Sequence, residues 1–130
     1  MNPLLDTHIF LWYISADSRL APEIAQAIRE PENRVYLSPV SLWECLVKHG
    51  LGKLPLPDAP ETWLPRQRQR HGIATLDLDE ASVRHLAKLP PLHRDLFDRM
   101  LICQAIEHGL VLVTVDEAVR QYPIAMFEGE

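Results

Sequence analysis

Five short apolar runs are separated by stretches with helical periodicity, and few folds accept that alternation. Pro3-Leu4-Leu5, Val35 to Leu37, Ile73 to Leu76, Leu110 to Val113 and Ile124 to Phe127 have the length of strands. Between them the spacing predicts helices. Pro22 to Glu30 sets Ile24, Ala27 and Ile28 on one face with Leu20, and Pro31 stops it. Ser38-Pro39 is a capping residue followed by proline at the first helical position, and that helix runs to about Gly50. Glu61 to His71 is helical and basic, and Glu80 to Ala87 forms another helix. Asp95 to His108 is strongly amphipathic and closes at Gly109. His8 to Tyr13 is a brief helical turn and Glu117 to Tyr122 a last short helix, while Gly52 to Pro60 is a loop and Pro90-Pro91 breaks the chain. Strands that alternate with helices predict a three-layer α/β/α domain with a central parallel sheet of about five strands. Ligands of such sheets sit beyond the carboxyl ends of the strands.

A chain of 130 residues fits a single domain, 1–130, with enough core to stand without staples. No apolar run approaches the ~18 residues a membrane-spanning helix needs, and the start lacks the basic segment and cleavage site of a signal peptide. Cys45 and Cys103 lie in helical patterns beside apolar neighbours, as free thiols of a cytoplasmic protein do. The net charge of −5 argues against a protein that coats nucleic acid nonspecifically. It is compatible with a nuclease, which needs acids at its centre and a basic rim only locally. No His/Cys pair has zinc-ligand spacing.

Four acids stand out. Asp6 follows the first strand, where a turn or capping aspartate would also stand. Asp116 follows Leu110 to Thr114, and a capping role is compatible with one oxygen left over. Glu44 shares a stripe with Ser41 and Lys48; a surface ion pair between Glu44 and Lys48 explains it equally well. Asp98 precedes Leu101, Ile102 and Ala105 at i+3, i+4 and i+7, so it lies on an apolar stripe. A carboxylate there needs a cation, a buried arginine or backbone donors. Asp95 and Arg99 form an i,i+4 pair on another, solvated face. Carboxylates gathered at one sheet edge repel one another unless a divalent cation intervenes. Magnesium suits them because it binds through few carboxylates and completes its shell with water and phosphate.

These residues carry a resemblance. Leu4-Leu5-Asp6-Thr7-His8, Ser38 to Glu44 with Lys48, His93 to Ile102, and Leu112 to Asp116 follow one another in the order of the four motifs of PIN-domain ribonucleases. Within these, the chain resembles VapC-type toxins of bacterial toxin–antitoxin systems. The resemblance implies a PIN-like fold and endonucleolytic cleavage of RNA by metal-activated water. It implies Mg2+ or Mn2+ held by Asp6, Glu44, Asp98 and Asp116, and a bacterial cytoplasmic homodimer inhibited by a cognate antitoxin. Leu96 departs from the pattern, because relatives often carry proline there.

Other residues have supporting roles in this reading. Ser38 and Thr114 orient an acid or a water, unless they merely cap a helix and end a strand. Arg94 meets phosphate, or is solvated, and Lys48 is read as solvated charge. Arg66, Arg68 and Arg70, with His71, form a rim for RNA or a partner, or a plain solvated face. His8 is structural. Leu11, Trp12, Tyr13, Trp63 and Leu64 are apolar surface for a dimer, or core. A haloacid-type phosphatase would carry a second aspartate where His8 stands, and a receiver domain would need a phosphoacceptor aspartate with a partner lysine. The remaining alternative is a non-catalytic PIN-like module that binds protein or RNA, whose acids would stay apart.

Overall fold

The computed structural model describes residues 1–127; the last three residues of the expected domain lie outside the described residues. Strand β1 (Pro3–Leu5) leads into helix α1 (Thr7–Ile14) and helix α2 (Pro22–Arg29). Strand β2 (Tyr36–Leu37) precedes α3 (Pro39–Gly50) and α4 (Pro60–Arg70). Strand β3 (Ala74–Thr75) is followed by α5 (Glu80–Arg84), a 3-10 turn at His85–Lys88, and α6 (Leu96–His108). Strand β4 (Val111–Val113) and a 3-10 turn at Val119–Gln121 complete the order.

All strands are parallel, in the order β3-β2-β1-β4. Leu4 pairs with Tyr36 on one side and Leu112 on the other, so β1 is central. The expected fifth strand, Ile124 to Phe127, is reduced to one parallel bridge between Met126 and Leu112. Two backbone bonds hold it there, Leu112 to the Ala125 carbonyl and Phe127 to the Leu112 carbonyl. Glu117 to Tyr122 tightens to a 3-10 turn, and Glu80 to Ala87 divides into α5 and a 3-10 turn.

Alternate residues of the strands point to opposite faces. Leu5 and Val113 therefore enter one core with Ile9, Phe10, Ile24, Ile28 and Leu64, which places α1, α2 and α4 on that face. Leu4 and Leu112 enter the other core with Leu101, Ile102 and Ala105 of α6. Helix α3 contributes Cys45 to the first and Val40 to the second. Gly109 ends α6 with φ +63°, a left-handed conformation that β-carbon-bearing residues resist. Both cysteines are buried and free, and burial, with Glu44 adding, pushes the Cys45 thiol up to about 12.

The apolar side chains expected at a dimer face lie elsewhere. Leu11, Trp12, Tyr13 and Trp63 are partly buried against the first core and Leu64 is fully within it. Trp43 (57% exposed) and Leu96 (70%) are the most open large ones near the site, with Leu46 and Val47 on the same helix as Trp43. The Trp43 ring meets Phe97 edge-on at 4.8 Å. No helix among the described residues is long and apolar enough to cross a membrane.

Candidate active site

The sheet reverses its direction of growth at β1. The chain builds β2 and β3 to one side of it, then returns to place β4 on the other. A crevice opens at such a reversal, beyond the carboxyl ends of the two flanking strands. Asp6 leaves β1 at that edge, and Thr114 and Asp116 leave β4.

Asp6 caps α1, its Oδ1 accepting the Ile9 amide at 2.9 Å, while its Oδ2 accepts from the Thr114 hydroxyl. The capping and site readings of Asp6 thus use different oxygens. Burial raises the Asp6 pKa and Glu44 adds to it; the Thr114 hydroxyl, the Ile9 amide and the charge of His8 oppose the shift without cancelling it. His8 itself is exposed and stacks loosely on Trp12, 6.2 Å between centroids.

Glu44 is buried, not on the surface. The Lys48 ammonium does pair with its Oε2, as the i,i+4 spacing predicts. The Thr7 hydroxyl donates to Oε1 at 2.7 Å. With its single hydrogen spent there, Thr7 accepts from Ser41, whose Oγ is 2.9 Å away. Burial lowers the Lys48 pKa, but the Glu44 hydrogen bond and the fields of Glu44, Asp95 and Asp98 outweigh it and raise it. Lys48 is therefore part of the acidic cluster and not merely solvated charge.

Among the described residues the Asp98 carboxylate has a histidine as its partner, and neither an arginine nor a backbone donor. The imidazole Nε2 of His93 lies 2.8 Å from its Oδ2 and 3.9 Å from Oδ2 of Asp116. Burial pushes the Asp98 carboxyl up to about 6 against the His93 hydrogen bond, with Asp95, Glu44 and Asp6 adding to the rise. Asp95 does not pair with Arg99. Its carboxylate caps α6 by accepting the Asp98 amide at 3.0 Å, and the Arg99 guanidinium turns to the Leu89 carbonyl. The helix starts normally with Leu96 at its first position. Asp116 caps the turn after it, its Oδ1 accepting the Ala118 and Val119 amides at 2.8 and 3.1 Å.

His93, Asp98 and Asp116 each offer one donor atom, and the three atoms lie within 4.8 Å of one another. Asp6 and Glu44 stand outside that trio, close enough for their charges to bear on Asp98. The donor set fits a divalent cation: oxygen-rich, crowded with negative charge, and open to solvent at Asp116, whose side chain is 42% exposed.

The supporting residues divide. Thr114 joins two of the acids, donating to Asp6 and accepting the Asp116 amide at 3.1 Å. Ser38 accepts the Val40 amide as the cap of α3. Ser38 and Ser41 border an apolar cavity of about 130 Å³ lined also by Phe10, Leu42, Arg68 and Thr75. Arg94 is exposed. Arg66 and Arg70 are exposed on α4, whereas Arg68 is held by its bond to the Ile73 carbonyl at 2.8 Å. His71 caps α4 and meets the edge of Tyr13. Sequence reasoning did not single out His93 or Thr7. Both stand within five residues of an acid, and that adjacency was the available signal.

Residues 4–125 match the PIN domain family. Ribonuclease VapC16 of Mycobacterium tuberculosis is 32% identical over 63 residues, 48% of this chain and 45% of that protein. The chain thus spans under half the length of this relative. Ribonuclease VapC22 of the same organism is 28% identical over 120 residues, 92% of this chain and 90% of that protein. Among solved structures, VapBC2 of Rickettsia felis bound to a DNA fragment from its promoter superposes with a TM-score of 0.74. It covers both chains completely at 16% identity, which makes this a likeness of fold.

Proposed function

Because this chain belongs to the PIN-domain family, we propose that it is a divalent-metal-dependent endoribonuclease, the toxin of a toxin–antitoxin pair in a bacterial cytoplasm. The observation that carries this reading is the convergence of His93, Asp98 and Asp116 within 4.8 Å beside buried Asp6 and Glu44. Likeness to two proteins named ribonucleases supports the choice of RNA as substrate.

Asp98 and Asp116 would hold Mg2+ or Mn2+ from the open side, with Asp6 and Glu44 supplying negative charge behind them. When bound, such an ion neutralises charge on a phosphate and lowers the pKa of a coordinated water. The chain's own residues do the rest. Thr114 keeps Asp6 and Asp116 in fixed relation, and Thr7, itself bonded to Ser41, joins Lys48 in holding Glu44 against repulsion by its neighbours. Burial and the neighbouring acids disfavour the Asp98 charge in the metal-free protein, so a cation held there would relieve it. Exposed Arg66, Arg70 and Arg94 would meet phosphates along the strand.

An antitoxin segment would seat apolar side chains in the cavity beside Ser41 and cover the acids. The surface of Trp43, Val47 and Leu96 would close a homodimer.

Purified protein incubated with cellular RNA tests the reaction. Cleavage is expected with Mg2+ or Mn2+, weak with Ca2+, which prefers more and longer bonds, and absent in excess EDTA. Undiminished cleavage in EDTA refutes metal dependence, and intact RNA with every ion refutes the nuclease. Expression alone should slow bacterial growth, and Asp6→Ala should relieve it.

A further inference from the structure

We infer that His93 is a direct nitrogen ligand of the divalent ion and biases this site toward Mn2+ over Mg2+. The inference deepens the metal-dependent reading above and rests on it.

Three features support it. The first is spacing. In a six-coordinate shell with bonds of ~2.1 Å, adjacent donors stand ~3.0 Å apart and opposite donors ~4.2 Å apart. The Nε2 of His93 is 2.8 Å from the Asp98 oxygen and 3.9 Å from the Asp116 oxygen, so both separations suit donors to one ion.

The second is preorganisation. The three side chains come from separate segments, and each segment is fixed by a bond that leaves the donor atom free. Asp95 caps α6 under Asp98. Asp116 spends Oδ1 on its turn and keeps Oδ2 for the site. His93 follows two prolines in an irregular segment, yet its backbone is clamped. The buried Tyr122 hydroxyl accepts the Leu92 and His93 amides, each at 3.1 Å, and donates to the Pro90 carbonyl at 2.6 Å. A hydroxyl that satisfies three backbone groups at once locks the loop that carries the imidazole.

The third is donor chemistry. Magnesium favours oxygen and keeps its waters, whereas imidazole nitrogen raises affinity along the first-row metals from Mn2+ upward. Ligation needs only the neutral tautomer with its proton on Nδ1, which frees the Nε2 lone pair.

The competing role is a hydrogen bond that merely orients Asp98. His93→Gln separates the two, because the glutamine amide can still donate to Asp98 but offers no nitrogen lone pair. The full chain is titrated with Mn2+ alone and with Mg2+ alone by calorimetry, and the Mn2+ form is examined by pulsed EPR for coupling to nitrogen-14. The wild type should show that coupling. His93→Gln should lose it, with Mn2+ affinity down about 10-fold or more and Mg2+ affinity within about 3-fold. His8→Gln, which alters the other imidazole near the acids, should retain it. Mn2+ binding without nitrogen coupling in the wild type overturns the ligand role and leaves the metal-dependent nuclease standing. So does coupling that survives in His93→Gln or vanishes in His8→Gln, or an equal loss of both ions. Failure of the wild type to bind Mn2+ at all overturns both readings.

Discussion

Asp98→Asn should make the metal-free protein more stable and the enzyme inactive, and the two effects have one cause. Asparagine keeps the shape of the side chain and can still bond to His93, so the cap by Asp95 and the start of α6 persist. What it removes is a charge in an unfavourable place. Burial first, then Asp95, Glu44 and Asp6, push the Asp98 carboxyl from 3.8 to about 6. A shift of about two units corresponds to ~3 kcal/mol of penalty on the ionised form at neutral pH. Solvent screening at this partly exposed carboxylate reduces that to ~1–2 kcal/mol. In a chain of this size the gain should appear as a rise of roughly 3–8 °C in the melting temperature in EDTA. Added Mn2+ should reverse the order, since the wild type gains ~2.7 kcal/mol at a hundredfold excess over its dissociation constant and the variant gains much less. Cleavage by the variant should fall at least ~100-fold, the scale of losing preorganised charge at a reacting phosphate. Calorimetric melts in EDTA and in Mn2+, paired with an RNA cleavage assay, check all three. A variant that melts below the wild type in EDTA, or cleaves at the wild-type rate, refutes the reasoning.

Three further outcomes follow from the same contacts. Asp6 and Asp98 both carry raised pKa values, so their contribution is greatest below the unfolded value of 3.8 and is lost as pH rises through the folded values. Metal-free protein should therefore resist urea better near pH 5 than near pH 7.5 as far as these two groups decide it, and a flat or opposite trend in the difference between wild type and Asp98→Asn would contradict this. Thr114→Val leaves the buried Asp6 oxygen and the Asp116 amide without the hydroxyl, which should cost ~2 kcal/mol at pH 7.5 by urea unfolding and less at pH 5, where Asp6 is more protonated. Leu96→Pro should stabilise by ~0.5 kcal/mol by restricting the unfolded chain at the first helical position, because Asp95 before it is already extended at φ −67° and ψ 116°; a lower melting temperature would count against it.

The sequence made the architecture legible wherever period and punctuation agreed. Ser38-Pro39 opens α3 and Gly109 closes α6 as local chemistry dictates. The expected fifth strand shrinks to a bridge: Ile124 to Phe127 has strand composition, yet among the described residues two backbone bonds tie it to β4. Composition reports what a residue tolerates, and the sheet decides how far pairing extends. Asp98 drew attention because a carboxylate on an apolar stripe needs a partner, but nothing in a single sequence reveals which. The answer, His93, lies in an irregular segment with no periodicity to place it. Glu44 leaves two readings open in the sequence. Its spacing to Lys48 matches a surface pair, while the buried stripe of α3 runs through Val40, Ser41, Glu44 and Cys45 and takes the glutamate inside.

The bond from Thr114 to Asp6 joins residues 108 positions apart in the chain. Strand β1 is central, yet its partner on the reactive side, β4, is the last in chain order of the described strands. A growing polypeptide that has emerged only as far as α6 possesses Asp6, Glu44, His93 and Asp98 but has no β4 to seat Thr114 and Asp116 beside them. At roughly 5–20 residues per second, the 108 positions between Asp6 and Thr114 take on the order of 5–20 s to synthesise. Contacts of such long separation also form slowly. Synthesis order thus acts as a safety catch: the edge proposed to cut RNA stays in two halves until β4 has been made.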